Sequence, residues 1–312
     1  MMSITEAKQK LPKKFIENLY EKFSPLMVDK IIIGMLTKRL TTIRVNTIKI
    51  TIRELMEILK NNNIKFERVL WYEDALIVKN VTEKELQKLK EYKEGKFYIQ
   101  SLPSMVPPLV LSPKEDENVL DMTSAPGSKT TQMAALMKNK GHILANELDK
   151  IRIEQLKYNV KCQGANIVEV RQGRGEDLGK IFPNMFDKVL LDTPCSGEGR
   201  FIANSVQTYK SWSEKTVNEL VKIQKRLFKS AYSACKENGI IVYSTCTINK
   251  KENEEIVDWA IKNLGLKVID TEIKVKNSIP GITDGLDNSI SKAIRVLPSK
   301  EMEGFFIVKF KK

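Results

Sequence analysis

From Asn118 onward the chain alternates between short runs of β-branched residues and longer amphipathic stretches. The order is NVLDM, a helical pattern over 127–138, HILANE, a helix over 150–162, NIVEV, FDKVLLD, a helix over 214–236, GIIVYST, a helix over 251–264, LKVID and GFFIVKF. Strands separated by stretches long enough to cross back over a sheet predict parallel βαβ units, and therefore a doubly wound α/β domain. In such sheets ligands bind outside the carboxyl ends of the strands, so the turns leaving the strands are where chemistry is expected. Two of these turns carry a cysteine, Cys195 in LLDTPCSGEG and Cys246 in YSTCTINKKENE.

The residues before this domain divide in two. Residues 1–40 are expected to form two helices. Pro12 opens a run with Phe15, Leu19 and Phe23 four apart, and Ser24-Pro25 starts the next. Lys8, Lys10, Lys13, Lys14, Lys22, Lys30, Lys38 and Arg39 give this segment a basic face, which suits either RNA or water. Residues 41–105 read β-α-β-β-α-β, with T-x-x-E capping boxes at Thr51/Glu54 and Thr82/Glu85 opening the two helices. That order predicts a small α+β unit of the ferredoxin or RNA-recognition type. Its strands lack clustered aromatics for stacking bases, so it is expected to dock on RNA backbone. Pro103, Pro107, Pro108 and Pro113 mark an expected boundary, with the α/β domain over 106–312.

Composition narrows the partners. The 312 residues carry a formal charge of +13, which favours a polyanion such as nucleic acid. No apolar run is long enough for a membrane span and no signal-peptide core opens the chain, so a soluble, cytoplasmic protein is expected, and nothing demands more than a monomer. The four cysteines match no zinc-ligand spacing and His142 is the sole histidine, so no metal is expected. Cys162 and Cys235 fall in helical patterns and read as core thiols.

The turns themselves specify chemistry. In DMTSAPGSKTTQMAALM, the small residues Ser124, Ala125, Gly127 and Ser128 let a ligand approach the backbone, and the free N–H groups of the following helix favour a carboxylate or phosphate. Glu147, ending HILANE, stands where a Rossmann-type unit places the acid that accepts from ribose hydroxyls. Asp192, ending FDKVLLD, is suited to hold a base edge. A cysteine near a helix start or a cation such as Lys129 has an increased thiolate fraction. Asn249 with Glu252 reads as an N-x-x-E cap directly after Cys246, which makes Cys246 the better nucleophile candidate.

DMTSAPGSKT, LLDTPCSGEG and YSTCTINKKENE resemble motifs I, IV and VI of the NSUN-type RNA cytosine-5 methyltransferases, and RVN at Arg44–Asn46, YIQSLPSM around Gln100 and the closing EGFFIVKF also match. The compact size looks like the archaeal tRNA members. The resemblance implies a Rossmann-like class I methyltransferase fold, S-adenosylmethionine as cofactor, and RNA as substrate, tRNA first and rRNA second. It implies that Cys246 attacks carbon 6 of cytosine, that Cys195 assists release, that Asp192 holds the polar edge of the base and that Lys129 lies beside it. Cofactor contacts are implied for Thr123, Ser124, Ala125, Pro126, Gly127, Ser128, Lys129, Glu147, Arg152 and Asp192. Gly173 stands where the family carries an acid near the adenine, leaving Glu176 or Asp177 to take that place. Lys250 replaces the proline that follows the TC motif in the family.

Overall fold

The computed structural model describes residues 2–312. Three helices come first, α1 (Ile4–Lys10), α2 (Lys13–Tyr20) and α3 (Pro25–Leu36), one more than the sequence patterns predict. The signal for α1 is a capping box in which Ser3 accepts from the Glu6 N–H and the Glu6 carboxylate accepts from the Ser3 N–H. Seven residues are too few to show an apolar period, so only the cap announces this helix.

The small unit is β1 (Thr41–Val45), α4 (Ile52–Asn61), β2 (Phe66–Arg68), β3 (Ala75–Val78), α5 (Glu83–Leu86), α6 (Lys90–Lys93) and β4 (Phe97–Ile99). Its strands lie in the order β2-β3-β1-β4, all antiparallel, which is the split β-α-β arrangement expected. Both expected capping boxes are formed. Ile43, Val45, Leu55, Leu59, Leu76, Val78, Leu86 and Phe97 bury between sheet and helices.

The proline-punctuated stretch is a helix, α7 (Leu102–Leu111), and not an exposed linker. Pro103 sits in its first turn, where a missing N–H loses no bond. Leu102, Met105, Val106, Val110 and Leu111 are buried in one cluster with Val119, Leu190, Val242 and Ile307 of the large sheet. Burial of this apolar stripe outweighs the two helix bonds that Pro107 and Pro108 forgo.

The large unit continues as β5 (Asn118–Asp121), α8 (Ser128–Leu136), β6 (His142–Glu147), α9 (Lys150–Gln163), β7 (Val168–Gln172), α10 (Leu178–Ile181), β8 (Phe186–Asp192), α11 (Glu214–Ala234), β9 (Cys235–Thr245), α12 (Glu254–Leu264), β10 (Lys267–Ile269), β11 (Ser278–Pro280), β12 (Ile294–Val296) and β13 (Phe305–Lys311). The strand order is β11-β12-β13-β9-β8-β5-β6-β7, with β10 also paired to β13. Strands β5 to β9 are parallel, and β13 adds antiparallel to β9. The doubly wound expectation holds. Strand order reverses between β5 and β8, and at that switch point a ligand crevice opens. No helix among the described residues is long and apolar enough to cross a membrane.

Cys235 is buried, but as the first residue of β9 and not in a helix. Cys162 is only half-buried, its thiol facing the Lys93 carbonyl at 3.5 Å, so it is not a core thiol.

Candidate active site

A cavity of about 1390 Å³ lies at the switch point, bounded by the turns after β5, β6, β8 and β9 and by the start of β13. The turn after β5 is pinned from three sides. Ser124 donates to the Asn146 carbonyl from its N–H at 2.9 Å and its hydroxyl at 2.8 Å. Arg152 donates to the Ala125 carbonyl at 2.5 Å, and Asn159 to that of Pro126 at 2.8 Å. Gly127 then turns the chain into α8 at φ +104°, where a β-carbon would lie 2.9 Å from Leu156. Only glycine adopts this backbone at such proximity without strain.

Glu147 is buried, and its carboxylate accepts from the N–H groups of Leu148 at 2.8 Å, Asp149 at 3.0 Å and Ala125 at 3.3 Å. A carboxylate has about four acceptor positions, so room is left for one hydroxyl. Arg152 lies 3.6 Å from it and, by holding Ala125, acts on the turn. Leu148 and Ile151 line the cavity while remaining largely exposed, which gives it an apolar wall. Glu176 also lines the cavity, 3.6 Å from Arg174 and 3.7 Å from Arg226. Asp177 is exposed and outside it.

Lys129, in the first turn of α8, reaches across to β8. Its ammonium lies 2.7 Å from the Asp192 carboxylate and 2.8 Å from the Ser104 hydroxyl, above the Phe305 ring. The other Asp192 oxygen accepts from Ser244 at 2.7 Å. Beneath this pair, burial raises the Asp121 carboxyl to about 7 despite a 2.7 Å hydrogen bond from Thr130.

The two cysteines meet. Their sulfurs are 3.1 Å apart, and the Cys246 N–H also points to the Cys195 sulfur at 3.3 Å. Hydrogen bonding from Cys195 and the positive charge of Arg200 hold the Cys246 thiol below its ordinary value against the effect of burial. The same bond and burial push Cys195 well above it. The contact therefore favours Cys246 over Cys195 as the thiol that gives up its proton.

The cause differs from the one expected. Helix α12 begins at Glu254, and Asn249 does not cap it. Asn249 instead accepts from the Lys251 N–H at 2.9 Å and donates to Glu198 at 2.7 Å. Lys129 is committed to Asp192, so the cation that acts on Cys246 is Arg200. Iodoacetamide near neutral pH should therefore modify Cys246 faster than Cys195. Peptide mapping showing equal rates would contradict this assignment.

Gly199 ties the two turns together. Its N–H donates to the Cys246 carbonyl at 3.0 Å, and its own carbonyl accepts from Gly304 at 2.9 Å and Arg39 at 3.0 Å. A β-carbon here would fall 1.9 Å from the Gly304 carbonyl oxygen. Gly199→Ala should cost about 1–3 kcal/mol and displace Cys246; an unchanged melting temperature and alkylation rate would argue against this packing. Arg200, Glu303, Phe305 and Ser104 line the cavity but were not singled out in sequence, although Arg200 directly follows SGEG and was the available clue.

Residues 108–311 match the family described as 16S rRNA methyltransferase RsmB/F. The chain is also 35% identical over 305 residues to the tRNA (cytosine(49)-C(5))-methyltransferase of Pyrococcus abyssi, covering 96% of this chain and 97% of that one. The protein belongs to the RsmB/F family. Another member, the ribosomal RNA small subunit methyltransferase F of Shewanella loihica, is 37% identical over 279 residues, covering 87% of this chain and 56% of its own length. The chain thus spans little more than half of that RsmB/F relative. Among solved structures, a methyltransferase homolog protein from Pyrococcus horikoshii superposes with a TM-score of 0.87 at 29% identity, covering 100% of this chain and 99% of that one. NSun6 from the same organism, solved with SFG, gives 0.85 at 26% identity, with 98% and 99% covered.

Proposed function

We propose that this protein transfers a methyl group from S-adenosylmethionine to carbon 5 of cytosine in RNA, with tRNA as the substrate class. The observation that carries the reading is the pair of cysteine sulfurs, Cys195 and Cys246, 3.1 Å apart and lining the same cavity as the Lys129–Asp192 pair. tRNA is favoured over rRNA because the relative named for tRNA matches along its whole length.

The cavity suits S-adenosylmethionine. Free N–H groups at the start of α8 and the turn 123–129 fit its methionine part, the remaining acceptor capacity of Glu147 fits a ribose hydroxyl, and Leu148 and Ile151 fit the faces of a purine. The similar NSun6 structure carries an analogue of that cofactor. When bound, it supplies an electrophilic methyl group.

The chain's residues supply the rest. The Cys246 sulfur adds to carbon 6 of the base, and the displaced electron pair makes carbon 5 nucleophilic. Asp192, oriented by Ser244 and Lys129, accepts from the polar edge of the cytosine. Once carbon 5 is methylated, its proton is lost to water and the carbon–sulfur bond breaks, returning its electron pair to Cys246. Cys195 assists this departure by donating a hydrogen bond to the leaving sulfur. The target base has to leave its stack first, at a cost of a few kcal/mol that unpaired RNA reduces.

The test is to incubate the protein with unmodified tRNA or rRNA and labelled S-adenosylmethionine, and to map 5-methylcytidine. Label confined to rRNA would move the substrate assignment, and no label in cytosine would end it. The charge of +13 further implies an affinity for tRNA that falls steeply with salt. A flat response between 50 and 200 mM, roughly the range over which such contacts lose ~10³-fold or more, would remove the electrostatic contribution.

A further inference from the structure

Two buried carboxylates lie just behind the sulfurs, and the mechanism above uses neither. Glu252, from the Cys246 turn, crosses to the Cys195 turn. It accepts from the Ser196 N–H at 2.9 Å, the Ser196 hydroxyl at 2.5 Å and the Gln224 amide at 3.0 Å, and the same amide donates to the Pro194 carbonyl at 3.0 Å. Glu198, from the Cys195 turn, crosses the other way, accepting from Asn249 at 2.7 Å and from the Trp212 indole at 2.9 Å. Glu252 is fully buried and Glu198 is 2% exposed. Among the described residues neither is in an ion pair.

Burial pushes both carboxyl groups up, Glu198 to about 7, and the donors around each offset that cost only while both turns keep their present places. Each turn thus contributes an acceptor with a donor on the other, Ser196 for Glu252 and Asn249 for Glu198, while Gln224 and Trp212 add donors from outside the two turns. We propose that Glu252 and Glu198 are positioning residues that hold Cys195 within hydrogen-bond reach of Cys246. This rests on the proposed reaction for its catalytic consequence, although the sulfur geometry itself does not.

The expectation for Glu252→Ala is specific. Its turn loses three donors' common acceptor, Cys195 drifts from Cys246, and Cys246 loses the bond that favours its thiolate. Alkylation of Cys246 by iodoacetamide near neutral pH should slow by about tenfold. Turnover on tRNA should fall by a similar factor with the KM for S-adenosylmethionine unchanged, and a denaturation-resistant RNA–protein adduct should accumulate, as with Cys195→Ala. Glu252→Gln keeps an oxygen for the Ser196 and Gln224 N–H groups and should recover most of each property, since the Ser196 hydroxyl can turn to accept. If Glu252→Ala does not fold, Asn249→Leu reads the other half of the tie through the same measurements.

Wild-type alkylation rate and turnover in a folded Glu252→Ala or Asn249→Leu variant would overturn the proposal. So would a loss of turnover accompanied by a weaker KM for S-adenosylmethionine and an unchanged alkylation rate, which is the mark of general damage. Alkylation needs neither RNA nor cofactor, so slowed alkylation with no adduct even in Cys195→Ala would support the tie while counting against the reaction.

Discussion

Cys246→Ala is expected to lower methyl transfer to tRNA by more than about 10³-fold, because the other thiol lining the cavity, Cys195, is pushed well above its ordinary range and is a poor nucleophile for the addition that activates carbon 5. Cys195→Ala is expected to behave differently. It should still attack and methylate, then stall, leaving protein covalently joined to RNA through a denaturing gel. The asymmetry follows from the 3.1 Å contact, in which Cys246 is held as the stronger acid and Cys195 as the donor. Labelled methyl incorporation and adduct formation measured on both variants decide the matter. Product from Cys246→Ala would show that the nucleophile is misassigned, and an adduct in that variant alone would exchange the two roles.

The second large effect concerns stability. Arg295 and Glu254 form a fully buried ion pair, with the Arg295 Nε donating to the carboxylate at 2.9 Å and a second nitrogen donating to its other oxygen. A third donates to the Ile248 carbonyl at 2.7 Å, two residues from Cys246, while the rings of Phe23 and Phe306 each lie 5.7 Å from the guanidinium. Glu254→Ala strands the guanidinium in the core and should cost about 3–5 kcal/mol. Replacing both partners by apolar residues, as in Arg295→Met with Glu254→Leu, should cost much less, because no charge is left unpaired. Urea denaturation of the single and double variants provides the comparison. A single variant within about 1 kcal/mol of wild type would mean that water reaches the guanidinium.

Regular local signals were legible in the sequence. The alternation from Asn118 to Lys311 specifies the wound sheet, since each run is long enough to show its period. Thr51/Glu54 and Thr82/Glu85 announce their helices because a capping box is a contact within four residues. Asn249 and Glu252 have the same spacing yet form no such box. Their partners lie on the turn around Cys195, about fifty residues earlier, and on α11, and a local pattern carries no trace of a tertiary claim on the same side chains. The prolines of α7 gave no sign of its helix for a related reason: it is stabilised by packing against β8, β9 and β13. The three-residue strands β11 and β12 are too short for any alternation to emerge. Within the site, the two cysteines, Asp192, Lys129 and Glu147 were identifiable as strand-end or helix-start residues, whereas Arg200 needed the folded loop to bring it to the sulfurs.

The helices at the start of the chain have a bearing on how small a working version of this protein can be. Phe15 rests 5.1 Å from Phe201 and 5.9 Å from Trp212, Met35 accepts from the Ala203 N–H at 3.0 Å, and Arg39 grips Gly199. These are the far side of the loop that presents Cys195. A fragment containing only the wound sheet would expose Phe201, Ala203, Tyr209, Ile248 and Leu297 to water and release the loop from behind. The first forty residues therefore back the loop that presents Cys195, and a fragment lacking them would leave that loop without its support.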